Sequence, residues 1–366
     1  MDGSRGGAGT AAARVSAWQL PDIAGLVRGM GRNTRATSSD VARLAGVSRA
    51  AVSRVFTPGA PASARMSEKV RRAAEELGYR PNALARSLNT GRTRMIGLLV
   101  AYLDDPFYAE AVERLAIALQ ERDHHVLLFM ATPTVTDTDR VVREILDHQV
   151  DGIVLASVTM SSSLARECER HAIPVVHFNR EIDGTRRNAV VTDNAAGGRA
   201  VAEFLVRAGH RRIGYLAGFE GASTQRDRER GFREGLAARG VPLAARGLTN
   251  FVRAEAEEAA RRMFGRPGHP DAVFVCNDNM AFAVMGVLRA ELGLGIPGDV
   301  AVVGFDDVPM AGWPEYDLTT FRQPLRRLVA ATVEVLLARV EDGALPPRRA
   351  VVEGRLVLRG STRPAR

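Results

Sequence analysis

Six short stretches of the sequence gather side chains that can hydrogen-bond to hydroxyls or hold charge. "DDPFYAE" (104–110), "NRE" (179–181), "NDN" (277–279), "DDV" (306–308) and "RQP" (322–324) each follow an apolar run, and "RDRERGF" (226–232) opens a helical pattern. Carboxylates and amides accept from and donate to vicinal hydroxyls, and arginine forks bridge pairs of oxygens. Aromatic faces such as Phe107 and Tyr108 cover apolar C–H faces. This is the chemistry of reversible binding. Nothing points to catalysis: P-loop, GxSxG and HExxH patterns are missing from the sequence. His124 and His125 stand just before an apolar run, and His177 and His210 lack metal-ligand spacing. Cys168 and Cys276 are far apart, as expected of a reduced protein. No catalytic residue, metal or cofactor is expected.

A second group lies near the N-terminus. "SSDVARLAGVSRAAVSRVF" (38–56) carries Arg49, Ala50 and Arg54 beside Ser48 and Ser53, with Thr57 following. Arginine can make paired hydrogen bonds to guanine O6 and N7, alanine can meet only a thymine methyl, and the hydroxyls can reach phosphates.

These groups need elements to hold them. Val41, Leu44 and Ala45 share one predicted helix face, and Ala51, Val52, Val55 and Phe56 share a second. Gly46 stands where a chain leaves a helix through a left-handed residue, and Ser48 where the next helix needs an N-cap. Two helices joined by so short a turn form a helix-turn-helix pattern. Thr37 with Asp40 reads as a capping box, Ser63 caps a third helix that Gly78 ends, and "PNALARSLNTG" (81–91) is a short fourth helix. Beyond Arg94 the pattern changes. "MIGLLVA", "HVLLFM", "VDGIVLAS", "IPVVHFN", "RRIGYLAG", "DAVFVCND" and "VAVVGFDD" read as strands alternating with amphipathic helices, so parallel sheets covered on both faces are expected. The run is long enough for two α/β lobes, with sites beyond the carboxyl ends of the strands.

The chain has 366 residues, 46 % of them hydrophobic and 5 % aromatic, with a net charge of +8. Residues 34–94 hold 12 Arg/Lys and 4 Asp/Glu, a charge of +8, and residues 1–33 hold 4 Arg and 2 Asp, a charge of +2. The remainder, 95–366, therefore carries −2. A basic head on a slightly acidic body suits a polyanionic partner. Lys69 is the one lysine. The first 30 residues are rich in Gly, Ala and Ser without an apolar h-region, so they do not read as a signal peptide. No apolar run approaches the roughly 20 residues of a membrane span. A cytoplasmic protein with no membrane partner is expected.

Taken in order, "SSDVARLAGVSRAAVSRVF", "ELGYRPNALARSL", "GRTRMIGLLV", "RAGHRRIGYLAG", "CNDNMAFAVMGVL", "VVGFDDVP" and "LTTFRQP" resemble the lactose-repressor (LacI/GalR) family over about residues 37–362. The resemblance implies an all-helical helix-turn-helix head and an α/β core of two lobes similar to periplasmic sugar-binding proteins. The expected divisions are a disordered extension (1–33), the helix-turn-helix domain (34–80), a hinge helix and linker (81–93) and the core (94–366). Lobe 1 takes about 94–192 and 321–352, and lobe 2 about 193–320 and 353–366. Arg49 and Ala50 match operator-selecting positions, and Arg54 matches a base-contacting arginine. Leu88, with Ala85 beside it, matches a leucine wedged into the minor groove. Thr37, Ser48, Ser53, Thr57 and Asn82 complete the expected DNA-contacting set.

In the core, Asp105, Phe107, Tyr108, Asn179, Arg180, Arg228, Asn277, Asp306 and Gln323 match the residues lining the sugar cleft of ribose-type binding proteins. Asp105 stands where those proteins usually have Asn, and Asn179 where Asp is common, which leaves the sugar open. Trp313 suits either a cleft wall or a loop. The implied protein is a homodimeric transcriptional regulator, a repressor by resemblance, that binds a near-palindromic double-stranded DNA operator. Its expected effector is a small neutral sugar. A nucleoside effector, a phosphorylated protein partner and an activating role are the alternatives.

Overall fold

The computed structural model describes residues 36–57, 60–80, 92–132, 134–181 and 187–364. The expected N-terminal extension and the hinge-helix residues Asn82, Ala85 and Leu88 lie outside the described residues. The chain divides between Gly91 and Arg92 into two compact units.

In the first unit, α1 (Ser38–Ala45) is closed at its start by the box between Thr37 and Asp40, and at its end by Gly46 at φ 63°. The Ser48 hydroxyl caps α2 (Arg49–Val55), accepting from Ala51 N–H at 3.2 Å. The Ser63 hydroxyl caps α3 (Ala64–Glu76). Val41, Ala42, Ala45, Val52, Val70, Ala73 and Ala74 form the core of this unit. Leu44, expected on the buried face of α1, is instead 46 % exposed. At about 100° per residue, Val41 and Ala42 flank an arc centred near Ala45, and Leu44 falls beyond its Val41 edge.

The second unit is two parallel sheets with helices on their faces. The first sheet contains β1 (Met95–Val100), β2 (His125–Met130), β3 (Gly152–Ala156), β4 (Val175–Phe178), β5 (Asn188–Thr192) and β11 (Arg349–Val352). Their order is β11-β5-β4-β3-β1-β2. The second contains β6 (Ile213–Ala217), β7 (Leu243–Leu248), β8 (Ala272–Val275), β9 (Ala301–Asp306), β10 (Thr319–Arg322) and β12 (Arg355–Val357), ordered β12-β10-β9-β8-β6-β7. Only β12, antiparallel to β10, breaks the parallel pattern. Central strands β3, β5, β6, β8 and β9 are buried throughout, whereas the edge strand β2 exposes Leu128 and Met130.

The connecting helices are α4 (Pro106–Gln120), α5 (Val135–Asp147), α6 (Ser162–Arg170), α7 (Asn194–Arg207), α8 (Ser223–Ala237), α9 (Arg253–Phe264), α10 (Asp278–Gly286, ending in a π-turn) and α11 (Leu325–Glu341). The chain crosses between sheets after β5, after β10 and after β11. Arg322 still pairs with Asp306 across β10 and β9. The second crossing is therefore at Gln323–Pro324, slightly later than the expected boundary after residue 320. Helices α7 and α8 touch backbone to backbone: a Cβ on Gly231 would lie 2.0 Å from the Ala195 carbonyl oxygen, and one on Gly198 2.2 Å from that of Arg228. Only glycine permits this approach.

Candidate functional site

On α2, Ala51 and Val52 face the core, while Ser48, Arg49, Ala50, Ser53 and Arg54 are exposed. Arg43 on α1 is tied to Asp40 at 2.7 Å, but neither Arg49 nor Arg54 has an ion-pair partner among the described residues. The Thr57 hydroxyl donates to the Ser53 carbonyl at 2.8 Å, so its oxygen remains an acceptor while its proton is spent. Thr37 is exposed, and its hydroxyl donates to Asp40 at 2.7 Å. The exposed side of α2 thus presents two free guanidinium forks around a small alanine, which suits a helix lying in a groove of DNA.

The core's cleft is built at the carboxyl ends of parallel strands. The turn after β1 supplies Asp105, whose carboxylate caps α4 by accepting from Phe107 N–H at 3.0 Å. The end of β4 supplies Asn179 and Arg180, β8 supplies Asn277, and β9 ends in Asp306. Arg228 projects from α8. Together these line a cleft of about 440 Å³ with Phe107 and Tyr108, and with Tyr102, Asp104, Thr224, Phe251 and Asn279. Eight of the nine cleft residues expected from sequence are brought together. Gln323 stands behind them, accepting from the Thr192 hydroxyl at 2.6 Å and donating to Asp306 Oδ1 at 2.7 Å. Trp313 is half-exposed just after a short 3₁₀ turn (Pro309–Gly312) and is not among the lining residues.

Direct bonds fasten the lobes. Asn277 Nδ2 donates to Asp105 Oδ2 at 3.0 Å, and Glu181 N–H donates to the Ser223 hydroxyl at 3.1 Å. Arg228 donates to Asn194 Oδ1 at 2.8 Å and to the Cys276 carbonyl at 2.6 Å. Its guanidinium lies 3.7 Å from the Phe305 ring centroid and 3.6 Å from Asp306. Arg180 donates to the Ser157 carbonyl at 2.6 Å and lies 5.9 Å from the Phe251 ring centroid. Asn179 donates to the Tyr108 hydroxyl at 3.3 Å. Two buried polar atoms on these lining residues have no partner among the described residues: Asn179 Oδ1 and Arg180 Nε. Strained backbone gathers here too, with φ at 62° for Asn179, 60° for Phe251 and 128° for Asp306.

Burial raises the carboxyl pKa of Asp105 to about 6, against the Phe107 N–H and the Arg228 charge. It raises Asp306 well above its usual range despite Arg228. Asp278, beneath the cleft, accepts from Thr320 at 2.6 Å and from Val308 N–H at 3.0 Å, and burial pushes it to about 7. These acids bind protons more readily folded than unfolded. Their stabilisation is complete below the unfolded value of 3.8 and is lost as pH rises through the folded value. Buried His177, lowered to about 4, works in the opposite sense. The clean measurement is therefore a difference. Between about pH 4 and about pH 7, wild type should lose on the order of 2–4 kcal/mol relative to Asp278→Asn in urea unfolding. Parallel profiles would show that Asp278 does not titrate in that window.

Comparison with known proteins decides the family. Residues 37–82 match the model for bacterial regulatory proteins of the lacI family, and residues 202–362 match a periplasmic binding protein-like domain. The chain is 34 % identical to the HTH-type transcriptional regulator CelR of Thermobifida fusca, over 91 % of this chain and 100 % of that protein. The chain belongs to the lacI family of bacterial regulatory proteins. This lacI-family regulator is also 32 % identical to the HTH-type transcriptional repressor PurR of Vibrio vulnificus, over 90 % of this chain and 99 % of that one. Its fold matches the lac repressor dimer bound to operator and the anti-inducer ONPF, with a TM-score of 0.82 at 27 % identity, covering 90 % of this chain and 99 % of that one. It also matches a CelR–cellobiose complex, with a TM-score of 0.67 at 32 % identity, covering 89 % and 100 %. It is a transcriptional regulator with a helix-turn-helix DNA-binding head and a two-lobed core. No described helix is long and apolar enough to cross a membrane.

Proposed function

We propose that this lacI-family regulator is a cytoplasmic, homodimeric repressor that binds a near-palindromic operator and is controlled by a sugar held between its core lobes. Arg49, Ala50 and Arg54 read base edges, and Ser48 and Ser53 contact phosphates. The exposed, unpaired guanidiniums of α2 support the first assignment. Two-fold symmetry of a dimer, as in the lac repressor dimer on operator, implies an inverted-repeat site.

The observation that carries the effector assignment is the pair of unspent buried atoms, Asn179 Oδ1 and Arg180 Nε, in a cleft where acids face arginines. Such a cleft offers donors and acceptors with little net charge, the requirement of a neutral polyhydroxyl ligand. CelR, whose complex holds cellobiose, sets the precedent for a saccharide.

Selection of binding sites from a random duplex library should return an inverted repeat, and failure to select one overturns the reading. On that operator, Arg54→Ala should weaken binding by about 1–3 kcal/mol and relax one base pair per half-site. An equal loss on random DNA would make Arg54 a phosphate contact. Adding a panel of mono- and disaccharides to the complex identifies the effector. A shift in operator affinity with nucleosides alone would replace the sugar by its rival.

A further inference from the structure

His177 lies on β4 with 1 % of its surface exposed, and neither ring nitrogen has a hydrogen-bond partner among the described residues. His177 is among the residues around an open pocket of about 320 Å³ on the first lobe, separate from the interlobe cleft. The pocket is bounded by α6, the starts of β4 and β5, and the C-terminal end of α11. Two more polar atoms without partners belong to its lining, Arg187 Nη1 and Arg339 Nε. Neither guanidinium has an ion-pair partner among the described residues. Polar groups left unmet away from water are costly, and three around one pocket ask for a common partner.

The lining defines that partner's chemistry. Two arginines against the single Glu169 favour an anion. Burial keeps the imidazole neutral, with a pKa lowered to about 4, so it offers one donor and one acceptor. Met160, Ile173 and Pro174 supply apolar walls for a carbon frame. The Cys168 thiol, pushed up to about 11 by burial, stays protonated and adds no nucleophile.

We propose that this pocket is a second ligand site, taking a small hydroxylated organic acid whose carboxylate meets Arg187 and Arg339 and whose hydroxyl meets His177. Strand β4 joins it to the cleft, because Asn179 and Arg180 follow His177 by two and three residues. The site does not rest on the sugar assignment and stands if that assignment fails.

Isothermal titration of the full chain with malate, citrate, salicylate and 4-hydroxybenzoate tests it, with benzoate, salicylamide and inorganic phosphate as controls. At least one hydroxy acid should bind one per chain. Arg187→Ala and Arg339→Ala should each weaken it at least tenfold, and His177→Phe should erase the preference for salicylate over benzoate. Should a variant unfold, the ring ¹⁵N shifts of His177 in the wild-type protein give the same answer by moving on saturation. Binding by none of the acids overturns the proposal. So does undiminished binding by the folded double arginine variant, phosphate binding as tightly as the acids, or a His177 ring that ignores a bound acid.

Discussion

Arg228→Ala should destabilise the core by about 3–5 kcal/mol, the cost of removing one partner from a buried charged pair. The side chain is 3 % exposed and spends its donors on Asn194 and the Cys276 carbonyl while facing Asp306. Truncation strands all three acceptors at once. Asp306, already raised by burial, then loses the charge that opposes that rise, so its pKa should climb further. Urea unfolding at pH 7 measures the loss. A change below about 1 kcal/mol would mean that water replaces the guanidinium freely and that the cleft floor is not closed.

Gly231→Ala should cost at least about 3 kcal/mol, at the upper end of overpacking effects. The added methyl would stand 2.0 Å from the Ala195 carbonyl oxygen, which belongs to backbone and cannot rotate aside. The helices must part, and α7 and α8 carry Asn194 and Arg228 respectively, so effector affinity should fall together with the melting temperature. Gly286→Ala is the control. It has helical backbone with nothing within 4 Å of the new methyl, and should be neutral or gain up to about 1 kcal/mol. Similar melting for both variants would show that α7 and α8 separate without cost.

Much of the site could be read from sequence, because polar residues immediately after apolar runs sit at strand ends, and in parallel sheets those ends converge. Asp105, Asn179, Asn277 and Asp306 carried that signal. Phe251 did not. It follows β7, an edge strand whose "LAARGL" is too polar and half-exposed to stand out. The positive φ of Asn250 and Phe251 is the local clue, since Asn tolerates that region. Asn279 and Asp104 lay within the "NDN" and "DDPFYAE" stretches, Asn279 as the second residue of α10, and Tyr102 and Thr224 had no period to mark them. Strands β5, β11 and β12 were missed for another reason. Each is five residues or fewer, and their place depends on partners far along the chain, as with Arg349 beside Ala189. In the head, capping chemistry located all three described helix starts, and a misplaced side chain, Leu44, lay at the margin of its face.

The three crossings between sheets also impose an order on synthesis. β11 completes the first sheet and β12 the second, while the Ser361 hydroxyl bonds to the Val302 carbonyl at 2.6 Å and accepts from Thr319 N–H at 2.8 Å. The first sheet is not whole until β11 has been made, and the second not until β12 has. The head, by contrast, has all its described helices by residue 76. At about 5–20 residues per second, some 15–60 s separate a finished head from a finished core. A nonsense mutation anywhere from 193 to 348 therefore spares the DNA reader and leaves both lobes unfinished, producing a fragment that carries the head without the part that governs it.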